Sequence, residues 1–207
     1  MTIGWMSNWD YASHVPTSPW LGAMTLPREL ALKTIDGKPQ LMSTPAQSYA
    51  SLARRSAAIR IRTLEVSSAM RDLASPVHGA VQNIELTIEP GTAQRTGLIV
   101  RGSATVDTGT RIYYDAHKQT LVVDRSRSGN TWFSGAFSKE HVVNLPLRDG
   151  KLLLQVVVDR NSVEVFADHG RISITDLIFP SLDDDTIRVF AEGGDATFSD
   201  IAVANPS

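Results

Sequence analysis

The stretch GWMSNWDYASHVPTSPW, residues 4 to 20, gathers the side chains with the most distinctive chemistry in the chain. It holds Trp5, Trp9 and Trp20, three of the four tryptophans, beside Asn8, Asp10 and Tyr11. Two readings are open. The indoles can be core packing at a strand end, the ordinary use of tryptophan. Their faces can also line a concave site for a ligand with apolar C–H faces and many hydroxyls, which describes a sugar. Cleaving a glycosidic bond there would take a proton donor and a nucleophile about 5 to 10 Å apart. Asp10 and Glu29 are the acids nearest the cluster in sequence, but sequence distance alone does not identify such a pair.

Other chemistries find less support. The five histidines, His14, His78, His117, His141 and His169, are scattered without metal-ligand spacing, and no HExxH pattern occurs. No GxSxG opens a helix, which argues against a serine hydrolase. Asp183, Asp184 and Asp185 follow Pro180 and read as a solvated turn rather than a calcium site. Glu192-Gly193-Gly194-Asp195 sits between strands, where a turn explains it and a phosphate cradle does not. No cofactor and no metal is expected.

The elements that must position these residues are β-strands. From about Ala57 onward the hydrophobic period is close to two, as in AAIRIRTLEV (57–66), VQNIELTIE (81–89), KLLLQVVVD (151–159), SVEVFAD (162–168) and ATFSDIAVA (196–204). Turn residues punctuate the runs at Glu89-Pro90-Gly91, Asp107-Thr108-Gly109, Arg148-Asp149-Gly150 and Asp168-His169-Gly170. This spacing predicts an antiparallel sandwich or barrel. In 152–159, Leu152, Leu154, Val156 and Val158 share a face, and the reverse face is only partly polar, so a central strand is expected. Val163 and Val165 return on one face after the turn, with Glu164 and Phe166 on the other. Residues 125–137, RSRSGNTWFSGAF, break the alternation and read as a long surface loop carrying Trp132 and Phe133.

Upstream, residues 25–45 read as two strands joined at Asp36-Gly37, and 45–55 as a short Ala-rich helix after a proline. The expected division is residues 1–45, a connector over 46–56, and a sandwich over 57–207. At 207 residues the chain can bury a core without staples. It has no cysteine, so disulfides and thiolate sites are excluded. With 20 basic and 22 acidic side chains intermixed and a net charge of −2, no electropositive surface suits nucleic acid. No segment reaches the roughly 20 apolar residues of a membrane helix, and MTIGWMSNWD has neither the basic head nor the apolar run of a signal peptide.

Two stretches together carry a resemblance. GWMSNWDYASHVPTSPWLGAMTLPREL resembles the closing blade of the five-bladed propeller of glycoside hydrolase family 32, the levanases, inulinases and invertases. DGKLLLQVVVDRNSVEVFADHGRISITDLIFPS, followed by VFAEGG, resembles the C-terminal β-sandwich of the same family. The resemblance implies an all-β chain: an antiparallel β-sandwich preceded by a remnant of the propeller's last blade. It implies a retaining hydrolase of fructan or sucrose, secreted or periplasmic as a whole. The family's nucleophile lies in a WMNDPNG-like motif, its transition-state-stabilising aspartate in an RDP motif and its acid/base glutamate near a cysteine. None of the three occurs here: Asp10 leads into Tyr-Ala, Arg71-Asp72 is followed by leucine, and cysteine is absent. The chain thus looks like the last part of such an enzyme, with no catalytic residue of its own and no hydrolysis expected from it alone. Leu21 stands where the family usually has arginine, which puts that position's role in doubt.

In the family the tryptophan of the NW motif helps wall the pocket for the terminal fructose, so the resemblance makes Trp9, with Asn8 beside it, the substrate contact, and returns Trp5 and Trp20 to packing. Three functions follow as alternatives. One is the C-terminal part of a fructan or sucrose hydrolase. Another is a carbohydrate-binding sandwich working through Trp132 and Phe133. The last is a subunit-interaction module, with self-association through residues 1–45.

Overall fold

The computed structural model describes residues 1–73, 79–137 and 139–206. A single-turn 3₁₀ helix at Ala12–His14 is followed by a hairpin of β1 (Arg28–Ile35) and β2 (Lys38–Pro45), then α1 (Gln47–Arg55). The rest is strand: β3 (Ala57–Ser67), β4 (Met70–Asp72), β5 (Gln82–Glu89), β6 (Arg95–Gly102), β7 (Thr110–Asp115), β8 (Thr120–Asp124), β9 (Glu140–Asn144), β10 (Leu152–Asp159), β11 (Ser162–Ala167), β12 (Ile172–Leu177), β13 (Thr186–Glu192) and β14 (Asp195–Ala204). Two six-stranded antiparallel sheets form the sandwich, one in the order β12-β11-β10-β5-β14-β3, the other β4-β13-β6-β7-β8-β9. The hairpin forms a separate two-stranded sheet. Strands β4 and β9 have no counterpart in the periodicity: β4 has three residues, and β9 is an edge strand with alternately exposed residues.

Register explains the core. Val156 of β10 pairs with Ile84 of β5 and Val165 of β11, and Val158 with Val163, so one face of this sheet is a continuous apolar surface. Leu98, Val100, Ile112, Leu121, Val123 and Val189 face it from the other sheet, and all of these side chains are buried. As expected, β10 is central, between β5 and β11. Phe198 lies in the core. Phe190 is buried as well, but alternation with its core neighbours Val189 and Ala191 turns it to the outer face, where the Arg111 guanidinium covers its ring at 4.3 Å. Its cross-strand partner is Gly97, which leaves room for the ring.

The outer face of the first sheet is covered by the hairpin and α1. Glu164 and Phe166 therefore become buried although they point away from the core. Helix α1 begins at Ala46, whose side chain cannot cap it, and the Glu29 carboxylate from β1 accepts the Gln47 N–H at 3.0 Å instead. Gly170 makes the close approach possible. A Cβ there would lie 2.2 Å from the Ser43 carbonyl oxygen, in a left-handed conformation at φ +83°, and the Ser43 N–H donates to the Gly170 carbonyl.

Beyond its base, the hairpin's other face is bare. Leu30, Leu32 and Leu41 share it by register and are exposed. Amide hydrogens of β1 and β2 should consequently exchange faster than those of β10 to β12 in the monomer. Equal protection in a monomer would contradict this, whereas equal protection in a dimer would place the leucine face in a contact between copies.

Candidate functional site

The N-terminal segment folds onto the sandwich by an aromatic cluster rather than by strands. Met6, Tyr11 and Val15 bury against Phe137 and Leu177, with Phe133 and Phe179 packed alongside. The Tyr11 ring stands edge-on to Phe137 at 5.3 Å and to Phe133 at 6.1 Å. This anchors a turn at residues 8–12, in which Asn8 Oδ1 accepts the Asp10 N–H at 3.0 Å and the Asn8 carbonyl accepts the Ala12 N–H at 2.8 Å. At its tip Trp9 is 87% exposed. Trp5 leans on Trp9 with ring centroids 4.9 Å apart. Trp5 and Trp20 are partly exposed too, Trp5 having its indole nitrogen beside Gly22.

The structure separates the other candidate residues. Asp10 is exposed at the turn, whereas Glu29 is engaged at the start of α1. Asp184 accepts the Ser181 N–H at 3.0 Å within its turn. His14 meets the Ser13 hydroxyl, His141 binds Asp176, His169 lies in the positive-φ turn before Gly170, and His117 is exposed. His78 lies outside the described residues. Among the described residues no group of three histidine or acidic side chains could hold a metal.

Residues 125–137 form a loop with Trp132 exposed on it, as expected, but the loop is partly buried. Arg125, Ser128, Thr131 and Phe137 are buried, and only part of the segment, Trp132 above all, is open to solvent. Gly129 forms a bridge with Phe179 so close that a Cβ would lie 1.8 Å from the Phe179 carbonyl oxygen, and the Asn130 N–H donates to that oxygen at 3.0 Å. Arg125 enters the protein under the loop. Its guanidinium lies 3.2 Å from Asp176, donates to the Leu177 carbonyl at 2.8 Å and stacks 3.6 Å over the Phe137 ring. Ser128 and Gly129 serve close packing here, whereas Gly135 faces open space, and composition does not distinguish the two.

Two features at the junction escaped sequence reasoning. Glu164 accepts the Leu26 N–H at 2.7 Å and the Arg28 side chain, which also bonds Thr175 and lies 5.0 Å over the Phe166 ring. Burial first, and the Glu164 charge second, push the neighbouring Tyr49 phenol above its ordinary pKa. Beside this seam, a cavity of about 460 Å³ lies between α1, the hairpin and the outer face of β10 and β5, lined by Glu29, Arg54, Glu85, Gln155 and His169 among others.

An antiparallel two-sheet sandwich, with an aromatic segment and a hairpin packed onto it, defines an all-β protein. Residues 48–205 match the model of the C-terminal domain of glycosyl hydrolases family 32, and residues 1–45 the model of that family's N-terminal domain. The chain belongs to glycosyl hydrolase family 32. It is 37% identical over 196 residues to a levanase of Bacillus subtilis, covering 93% of this chain and 28% of that protein. It is 36% identical over 194 residues to an extracellular exo-inulinase of Aspergillus ficuum, covering 93% of this chain and 36% of that one. The chain thus spans about a third of the length of these relatives. The crystal structure of an exo-inulinase from Aspergillus awamori superimposes with a TM-score of 0.82 at 33% identity, over 98% of this chain and 39% of that one.

Proposed function

We propose that the chain is the C-terminal part of a retaining β-fructosidase acting on fructan or sucrose. In this reading residues 1–45 are the remnant of the last propeller blade, 46–56 the connector and 57–207 the accessory sandwich. The similarity to a levanase and to exo-inulinases supports the substrate class. The observation that carries the role of this chain is Trp9. Its indole stands out from an anchored turn, in the segment that matches the family's N-terminal domain. Trp9 forms one wall of the pocket for the terminal fructose, and Asn8, whose side chain closes the turn, sets its direction. The catalytic carboxylates come from the enzyme's preceding part.

Stacking a sugar on one indole face covers roughly a third of the 150 to 250 Å² that an aromatic side chain can bury, on the order of 1 to 2 kcal/mol at about 25 cal/mol per Å². With the chain joined to its catalytic part, Trp9→Ala should lower kcat/KM on sucrose or fructan about tenfold, and more if the ring also orients the sugar for attack. Unchanged kinetics in a folded variant would return Trp9 to packing.

The bare leucine face of the hairpin favours a second reading, self-association through residues 1–45, for the chain on its own. Its test is the exchange pattern described with the fold.

A further inference from the structure

We propose that Trp132 is a second sugar platform, supplied by the sandwich, which stacks on fructosyl units farther along a chain whose end lies against Trp9. The inference rests on the reading of Trp9 given above. Trp132 is 82% exposed, whereas Arg125 and Phe137 of the same segment are buried, so it packs no core. Its backbone is nevertheless held firmly. Gly129 and Asn130 are joined to Phe179, and the next residue, Phe133, packs edge-on against Phe179 at 5.3 Å. An indole on a backbone already fixed loses little freedom when a ligand settles on it.

An asparagine closes the turn at each indole, with Trp9 in the middle of its turn and Trp132 at the end of the other. Asn130 Oδ1 accepts the Trp132 N–H at 3.3 Å, as Asn8 Oδ1 accepts the Asp10 N–H beneath Trp9. The two turns are tied together, because the Phe133 ring meets Tyr11, two residues from Trp9, at 6.1 Å. Sandwich and N-terminal segment thereby each carry an exposed indole beside a shared aromatic cluster. Lys139 lies 4.9 Å from the Trp132 ring and steadies it by a cation–π contact. The ligand class this suits is an oligo- or polyfructoside long enough to touch both rings. Each contact is weak, and their joint use by one polymer raises the affinity.

Affinity electrophoresis of the 207-residue chain in native gels containing levan or inulin tests this, with dextran gels as the reference. Specific retardation is expected in a fructan gel, weakened about tenfold by Trp132→Ala and largely kept by Trp132→Phe. Circular dichroism checks that each variant is folded. Retardation unaffected by Trp132→Ala overturns the inference, and so does a wild-type chain that migrates alike in fructan and dextran. Loss on Trp9→Ala but not on Trp132→Ala supports the Trp9 reading and removes this one. Loss on Trp132→Ala but not on Trp9→Ala keeps the sandwich platform and overturns its joint use with Trp9 by one fructan chain.

Discussion

Glu164→Ala is expected to destabilise the chain by about 3 to 5 kcal/mol, the cost typical of breaking a buried ion pair from one side. The carboxylate is 4% exposed and accepts from the Leu26 backbone and from Arg28, a residue 136 positions away in sequence. Removing it leaves the Arg28 guanidinium under the hairpin with the Thr175 hydroxyl and the Phe166 ring but no countercharge. The Leu26 N–H loses its partner at the same time. Urea denaturation should show a lower midpoint, and hydrogen exchange should rise first in β1 and β2. The double replacement Arg28→Met with Glu164→Leu should recover most of the loss, because two apolar side chains of similar reach leave nothing charged behind. A single variant as stable as the wild type would mean that the seam contributes nothing to holding the N-terminal segment.

Asp176→Ala should cost a similar amount on the neighbouring strand, where Asp176 follows Thr175, the cross-strand partner of Glu164. Its carboxylate is 1% exposed and lies 3.2 Å from Arg125 and 2.7 Å from His141 Nδ1. β9 and β12 are edge strands of opposite sheets, so Asp176 also ties the two sheets together at an open margin. Its loss strips a buried guanidinium of its acid, while the Leu177 carbonyl and the Phe137 ring stay in place. For a chain of this size the melting temperature should fall on the order of 10 °C. The 125–137 segment should loosen with it, since Arg125 is the side chain on which that segment closes. A thermal transition within a degree or two of the wild type would show that this acid is dispensable.

These two acids also mark where sequence reasoning stopped. Alternation places Glu164 and Phe166 on the face away from Val163 and Val165, and the structure agrees. It does not say that this face is roofed, because the roof comes from residues 26–55, more than a hundred positions upstream. A carboxylate read locally is a solvent-facing residue; its burial depends on an arginine that no local pattern connects to it. The same limit hid the true character of residues 125–137, whose serines and glycines resemble a free loop until Arg125 is seen beneath them. The main strands were legible because each carries its own period of two. Strand β4 was too short for that, and β9, EHVVN, has only two apolar residues. The hairpin turn at Asp36-Gly37, both in positive φ, was legible for the opposite reason, since its chemistry is confined to two residues. As for the site, the tryptophans are visible in the sequence, but their exposure on asparagine-closed turns is a property of the fold.

The Arg28–Glu164 pair carries a consequence for how such proteins can be recombined. The two family models divide the chain between residues 45 and 48, which invites a swap of the sandwich at that boundary. The ionic seam crosses it. A graft cut there would transplant Glu164 without the arginine that neutralises it, and would leave Gly170 facing a strand edge that no longer approaches. Viable chimaeras would instead exchange a unit that begins ahead of Leu26, or carry compensating residues on both sides of the breakpoint, so the heritable module is larger than the sequence domain.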